Sequence, residues 1–600
     1  MDENLKNMRH SGAHLLASSV QRLFPKVKLA IGPAIDYGFY YDFDFGDEKI
    51  TPDDFERIES EMKRQKKMKY EFEKIEMRIV DAKRFLKDTN QPYSLSILED
   101  IESKGSSIKE EMDERNKLTE NSIVTFYKSG EFINLCRGGH VKSFAEIGEF
   151  KILSLAGAYF RGDEHNPMLT RIYVACFNTK EELDEFIKLR EEQKQRDHRV
   201  LGEKLGIFMF SDEVGAGLPL LLPNGEILKH NLVELMRKYE TESGYKYVST
   251  PVLTREELYI KSGHANYYKD DMFSFVNSEG ERFYIKPMNC PHHHMIFKKL
   301  VDSYRDLPLR LAEAGSVYRN ELSGTLTGLI RFLGPITQND AHIYCREDQL
   351  ENEFVSVIDL FEKVFNIFGM TGYSYRLSLP DFSKNKYGGD KDEWERVSNI
   401  IRKVMVSTKR NFFEESGEAA FYGPKIDVQY KNVNGKEDTI ATFQVDILVP
   451  RRMGIVYINE MGKEEYPVII HRAILGAYER FIGFLLEKTG GEFPFWIAPE
   501  QVRILTLNDG LVQYAKSIKD ILDNISLSSP IEGNRVRSSI DHRNESIQKK
   551  IKEGLNSKVP LLIIIGDRES KEGTISIRKN NVTETMKLSM LEKYIISLSD

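Results

Sequence analysis

The sequence predicts a multidomain chain in which α+β modules precede a C-terminal α/β module, and three observations carry that reading. Its 600 residues, 40% hydrophobic and 30% charged, exceed one domain of about 100 to 200 residues and suggest three or four. Asn178 to Glu203 (NTKEELDEFIKLREEQKQRDHRVLGE) is densely charged with sparse apolar positions, the pattern of a solvated connecting helix. Near GGEFPFWIAPEQVRILTL, glycines and prolines give way to the strand-like run Val502 to Leu507.

The modules follow in order. Residues 1–180 form the first, 181–203 the linker helix, 204–497 a large α+β domain and 498–600 the last. The third mixes amphipathic helices such as GEILKHNLVELMRKYETES with strands such as FYIKPM, GSVYRN and YPVIIH. The fourth alternates VRILTL, LVQYAKSIKDILDNI, ESIQKKIKEGLN, PLLIIIGD and TISIRK, which predicts a parallel or mixed sheet with helices between its strands.

Composition excludes some classes. A formal charge of −8 announces no polyanion partner, although an acidic total can conceal a basic face. Four cysteines, at 136, 176, 290 and 345, contain no CxxC pair and build no disulfide framework, which points to a reducing compartment. The N-terminal MDENLKNMRHSGAHLL lacks the basic and apolar runs of a signal peptide, and no run of about 18 apolar residues occurs. A cytoplasmic protein without a membrane anchor is expected.

Two constellations of cysteine and histidine carry chemistry. His10 and His14 lie four apart on a helical pattern, and Cys136 and His140 repeat that separation in NLCRGGHVK, a HxxxH…CxxxH set. It suits a zinc site or a hydrolytic pocket, and equally two core histidines with a core thiol. The second set is KPMNCPHHHMIF, where Cys290 precedes three histidines. Adjacent histidines in a strand or loop cannot all converge on one ion without strain, so a single soft ligand completed by distant histidines is the better reading. His342 and His471 are the candidates, and the triplet itself is expected to be incidental.

The words around these residues resemble a known family along essentially the whole chain. VYRNELSGTLTGLIRF resembles the second signature motif of class II aminoacyl-tRNA synthetases, and HRAILGAYERFIGFLLE the third. KPMNCPHH, AAFYGPKID, YKDDMF and SYRDLPLR are similar to the threonyl-tRNA synthetases in particular. HSGAHLLA, AIGPAIDYGFYYDFD, LCRGGH and AGAYFRGD resemble that family's editing domain, while DHRNESIQKKI and IIGDRESKEGTISIR resemble its anticodon-binding domain.

The resemblance implies an antiparallel-sheet catalytic core that joins L-threonine to tRNA(Thr) through threonyl-adenylate. It implies one Zn²⁺ per subunit on Cys290, His342 and His471, and Mg²⁺ accompanying ATP. Arg319, Glu321, Arg331 and Arg480 are the implied ATP contacts, with Arg319 on the α-phosphate. Lys425 is implied to support the reacting carboxylate and phosphate. Gln338, Asp340, Tyr422 and Gln444 would line the amino-acid pocket, with Asp340 accepting from the threonine hydroxyl. His264 would help move a proton during transfer to the tRNA. His10, His14, Cys136 and His140 match the editing site, where the family implies no metal, and Asn544, Glu569 and Arg578 match anticodon-reading positions. Pro251 resembles the proline of the first class II motif, which implies a homodimer.

Selection explains such a design. An apolar pocket separates near-isosteres by only about 100-fold, whereas a site that engages the hydroxyl rejects valine strongly. Serine keeps the hydroxyl and lacks a methyl worth roughly 1–3 kcal/mol, so hydrolytic editing is needed.

The chain also departs from the family pattern. The small ubiquitin-like domain that often precedes the editing histidines in bacterial members is expected to be missing. Ser94 and Asn134 stand where the family has a lysine and an acid, which predicts weakened editing. RFLGPITQNDAH adds a residue to the second motif, sets Leu333 in place of an arginine, and replaces the adenine-stacking phenylalanine around Pro335 and Ile336. His292 replaces a glycine, and Ala477 a serine.

Overall fold

A computed structural model of the chain describes residues 2–104, 122–163, 165–383, 387–432, 435, 437–580 and 582–599. It divides into two compact units, Met1–Glu191 and Glu192–Asp600. The division falls inside the helix Lys180–Arg196. The connector is two helices where one is expected, because Asp197 leaves helical geometry and its carboxylate accepts the Arg199 amide at 2.8 Å, capping His198–Lys204. No described helix is long and apolar enough to cross a membrane.

In the first unit, helix Glu3–Leu23 buries Leu16, Ala17 and Val20 in a core with Phe39, Phe43, Ile172 and Val174. Gly12 permits that approach, since a Cβ there would lie 2.3 Å from the Phe39 ring. A second, antiparallel sheet runs Glu73–Arg78, Ile123–Ser129, Phe132–Leu135, and delivers Cys136 at its end.

The second unit is built on an eight-stranded sheet. Its strands in chain order are β1 (Lys246–Tyr247), β2 (Leu309–Val317), β3 (Ile336–Cys345), β4 (Ser374–Leu379), β5 (Phe412–Ser416), β6 (Lys425–Lys431), β7 (Glu437–Asp446) and β8 (Val468–Ala477). The spatial order is β1-β2-β3-β8-β7-β6-β4-β5, and every pairing is antiparallel except β1–β2 and β4–β5. Strand alternation sends Ala341, Ile343, Ile470, Phe443, Val445, Ile426 and Val428 to one face, where helices Leu350–Ile367 and Tyr478–Thr489 cover them. That face also holds a buried pair, Arg472 Nη1 to Glu240 Oε1 at 2.6 Å. Removing one partner strands a buried charge, so Glu240→Ala should destabilise the fold by about 3–5 kcal/mol in chemical denaturation.

The C-terminal module carries parallel strands Ser538–Asp541, Val502–Thr506 and Leu561–Ile565, extended by antiparallel Thr574–Lys579 and Val582–Lys587. The apolar run LLIII is buried on both faces, which explains its lack of alternation.

Candidate functional site

Residues directly opposite on neighbouring strands share a face of the sheet. His342 on β3 pairs with His471 on β8, which pairs with Gln444 on β7, which pairs with Lys425 on β6. Two residues along lies a second row: Glu313, Asp340, Ala473, Thr442 and Asp427. The sheet therefore presents one functional face, opposite the helix-covered one.

Cys290 comes to this face from the start of helix α1 (Cys290–Leu300). Single ligand atoms of Cys290, His342 and His471 lie within 4.8 Å of one another, and all three residues are buried. Burial holds the Cys290 thiol well above its ordinary value and His342 well below. Tyr422 stacks on His471, ring centroids 5.0 Å apart, and donates its hydroxyl to Gln444 Oε1. His264 Nδ1 meets Ser262 Oγ at 2.8 Å, and its Nε2 lies 3.6 Å from Cys290 Sγ. Burial depresses His264 to about 3, so it is neutral at working pH.

The histidine triplet is not incidental. All three lie on a helix and all are buried. His293 contacts Glu313 and His342, and His294 Nδ1 meets Tyr344 Oη at 2.8 Å. Both nitrogens of His292 lack a partner among the described residues. The strand or loop geometry assumed from sequence made these histidines diverge, whereas helical geometry turns them into the polar underside of the site.

Sequence reasoning missed Asn289, whose amide donates to Asp340 Oδ2 at 2.8 Å and fixes that carboxylate. Gly315 leaves room for it, since a Cβ there would lie 2.5 Å from Asn289 Oδ1. Asp427, two residues after Lys425, was missed too: its Oδ2 accepts from Arg376 at 2.9 Å and Ser378 at 2.8 Å, and pairs with Lys425 at 2.9 Å. Period-two reading of YGPKIDVQY would have put both on one face.

Four charged residues converge beside this face. Arg319 donates to the Pro287 carbonyl at 3.4 Å, and Arg331 lies 3.8 Å from Glu321. Arg480 enters on helix Tyr478–Thr489, and its buried Nε has no partner among the described residues. Burial, then the like charge of Arg319, brings it down to about 10, so it remains a cation whose surroundings favour an added anion. Ile336 and Phe332 are core residues with Val317 and Ala477, so neither offers a ring or side chain to a nucleotide base. Gly334-Pro335 is a cis peptide.

In the first unit, ligand atoms of His10, His14, Cys136 and His140 also lie within 4.8 Å of one another. His10 Nε2 is 3.0 Å and His140 Nε2 3.3 Å from Cys136 Sγ. His140 stacks on Phe72 at 4.3 Å between centroids. Burial lowers His140 to about 3 and raises Cys136 to about 11, so the set is neutral near pH 7, without a free thiolate. Asn134 is buried and donates to Tyr41 Oη at 2.7 Å, and Ser94 is buried on helix Pro92–Lys104. An acid-stability prediction follows from His140. Unfolded, it takes a proton at its ordinary 6.5, whereas folded it refuses one until about 3, so stability is complete above 6.5 and lost as pH falls between them. Thermal melting should show this acid sensitivity, and His140→Gln should reduce it.

In the C-terminal module, Asn544 follows strand Ser538–Asp541 and Glu569 follows Leu561–Ile565, both beyond the carboxyl ends of parallel strands. Glu569 accepts from the Gly566 amide and Ser576 Oγ, each at 3.0 Å. Ser576 and Arg578, two apart on one strand, share a face.

The antiparallel sheet, its charged motif residues and the match of residues 273–489 to the tRNA synthetase class II core domain (G, H, P, S and T) define a class II aminoacyl-tRNA synthetase. Residues 124–173 match the threonyl and alanyl tRNA synthetase second additional domain, and 501–598 an anticodon binding domain. The chain is 41% identical to the threonine–tRNA ligase of Halalkalibacterium halodurans over 98% of its length and 88% of that protein's. It is 44% identical to the Staphylococcus carnosus threonine–tRNA ligase, over 96% and 85%. A crystal structure of the RNA binding domain of Cryptosporidium parvum threonyl-tRNA synthetase superposes with a TM-score of 0.62 at 33% identity, covering 67% of this chain and 98% of that one. Giardia lamblia prolyl-tRNA synthetase, at 17% identity and TM-score 0.53 over 67% and 76%, shares the fold. The chain belongs to the threonine–tRNA ligase family.

Proposed function

We infer that this chain activates L-threonine with ATP and Mg²⁺, transfers it to tRNA(Thr), and hydrolyses misattached serine in its first unit. The carrying observation is the row His342, His471, Gln444, Lys425, with Cys290 brought to it and Arg480 beside it, whose Nε has no partner among the described residues.

Phosphoryl chemistry of this kind needs aligned reactants and cations more than covalent catalysis. Arg319 and Arg480 neutralise charge at the α-phosphate while threonine's carboxylate attacks and pyrophosphate departs. Glu321 and Arg331 hold the rest of the nucleotide, and Lys425, steadied by Asp427, meets the reacting carboxylate. Asp340, held by Asn289, accepts from the substrate hydroxyl, with Gln338, Tyr422 and Gln444 around it. His264 assists the later proton transfer at the tRNA ribose.

One thiol and two imidazoles, buried together, fit zinc and leave room in its coordination for substrate. When bound, zinc would act as a Lewis acid toward the amino and hydroxyl groups of threonine, the engagement that valine cannot offer. Threonine-dependent ATP–pyrophosphate exchange, with metal analysis of the purified enzyme, tests the reading: exchange tracking about one zinc per chain is expected, and metallated protein without exchange overturns it.

The division into residues 1–180, 181–203, 204–497 and 498–600 is proposed as editing, linker, catalytic and anticodon-binding parts, with Asn544, Glu569 and Arg578 reading unpaired bases. A homodimer through the segment at Pro251 and a cytoplasmic location belong to the same proposal. Sedimentation at micromolar concentration checks the dimer, which Pro251 variants should weaken. Editing is proposed to be slow, because Ser94 and Asn134 supply neither cation nor anion. Ser94→Lys with Asn134→Asp should then speed Ser-tRNA(Thr) hydrolysis; no gain would sink the idea.

A further inference from the structure

A metal-binding imidazole must offer a bare nitrogen, and which one is bare depends on what the other meets. His471 settles this locally. Its Nε2 lies 3.1 Å from Asp446 Oδ2, and Asp446 Oδ1 already accepts the Leu448 and Val449 amides, each at 2.9 Å. A carboxylate only accepts, so Nε2 carries the hydrogen and Nδ1 is bare.

His342 has no carboxylate. Its Nδ1 meets another imidazole nitrogen, His293 Nδ1, at 2.8 Å, a contact in which either ring can donate. The ambiguity is resolved one residue further out. His293 Nε2 lies 3.1 Å from Glu313 Oε2. Glu313 is nearly inaccessible, and it accepts the Thr250 amide at 2.7 Å and the Thr250 hydroxyl at 2.9 Å, with Lys286 Nζ at 3.7 Å. Burial raises this carboxyl, but His293, Lys286 and the Thr250 amide outweigh it and hold it below the usual range, so it is an anion and accepts only. His342 Nδ1 is taken up by His293, so Nε2 is the nitrogen left for a metal; a ring bound through Nε2 keeps its hydrogen on Nδ1 and donates it to His293 Nδ1, while the His293 hydrogen sits on Nε2 toward Glu313.

We propose that Glu313 and His293 are positioning residues that set the tautomer of His342, leaving its Nε2 bare for a divalent metal. The two ligand histidines thereby present opposite nitrogens, one set directly by Asp446 and the other at second hand by Glu313. The relay also explains why a helical histidine is buried against a buried glutamate under the sheet. It rests on the reading of Cys290, His342 and His471 as ligands.

Two measurements test it separately from that reading. Neutron diffraction from deuterium-exchanged crystals of the metal-free enzyme should place deuterium on His293 Nε2 and His342 Nδ1. Deuterium on His342 Nε2 overturns the relay whether or not the protein takes up zinc. Competition with a chromophoric chelator should show Glu313→Gln, whose amide can donate toward His293, binding zinc about 10 to 100-fold more weakly than the unsubstituted enzyme. Glu313→Asp, which keeps an acceptor-only group, should retain more of the affinity. Equal zinc binding by Glu313→Gln and the unsubstituted enzyme, or equal losses in the two variants, overturns the relay. Failure of the unsubstituted enzyme to bind zinc refutes the ligand set instead.

Discussion

Cys290→Ser enzyme is expected to fold, to purify without zinc, and to lose threonine-dependent pyrophosphate exchange by at least about 100-fold, more than removal of an outer support costs. Cys290 is the only sulfur in the cluster with His342 and His471, and it is buried at the head of a helix whose contacts with the neighbouring apolar core are made further along, by Ile296 and Phe297. A hydroxyl there neither opens a cavity nor strands a charge, so stability should hold while the metal is lost. Discrimination is the sharper readout. Without the metal, threonine and valine differ only by a methyl-for-hydroxyl exchange in a partly apolar pocket, and their ratio should collapse to about 100-fold or less. Retained zinc together with retained threonine preference would remove Cys290 from the ligand set.

Arg480→Lys should lower kcat/KM for ATP in the exchange reaction by about 100- to 1,000-fold, the usual loss when one preorganised donor to a developing charge is removed. The substitution keeps the charge, so the loss tests geometry. Arg480 is half-buried, its buried Nε has no partner among the described residues, and it is pushed down to about 10 by burial and by Arg319. A planar guanidinium can cover a nucleotide and donate from two edges, whereas an ammonium is a point charge on a flexible stem. An unchanged kcat/KM in a correctly folded variant would show that Arg480 does not touch ATP.

Much of this site was legible in one dimension. Cys290, His342 and His471 stood out because soft and titratable residues sat inside recognisable words, and the structure brings all three together. Arg319, Glu321 and Arg480 were legible in the same way. Other partners carried no such signal. Asn289 and Glu313 are ordinary polar residues in sequence, and they matter because a helix start and a neighbouring strand aim them at Asp340 and His293. The burial of the histidine triplet was not legible, since strand or loop geometry was assumed where Cys290–Leu300 is a helix, with Pro291 in a first turn that needs no amide hydrogen. Ile336 was expected near the base of ATP and instead fills a core with Val317, Phe332 and Ala477.

By itself, then, the sequence determined the family, the chemistry of the cluster and the run of modules, because these depend on residue types at set spacings. The tertiary structure alone decided which face of the sheet carries the clustered side chains, which histidines are buried beneath it, and which nitrogen of His342 meets His293. Those depend on strand register and on hydrogen bonds between residues such as Thr250, Lys286, His293, Glu313 and His342, the first and last 92 positions apart, and no local pattern encodes a contact made by folding.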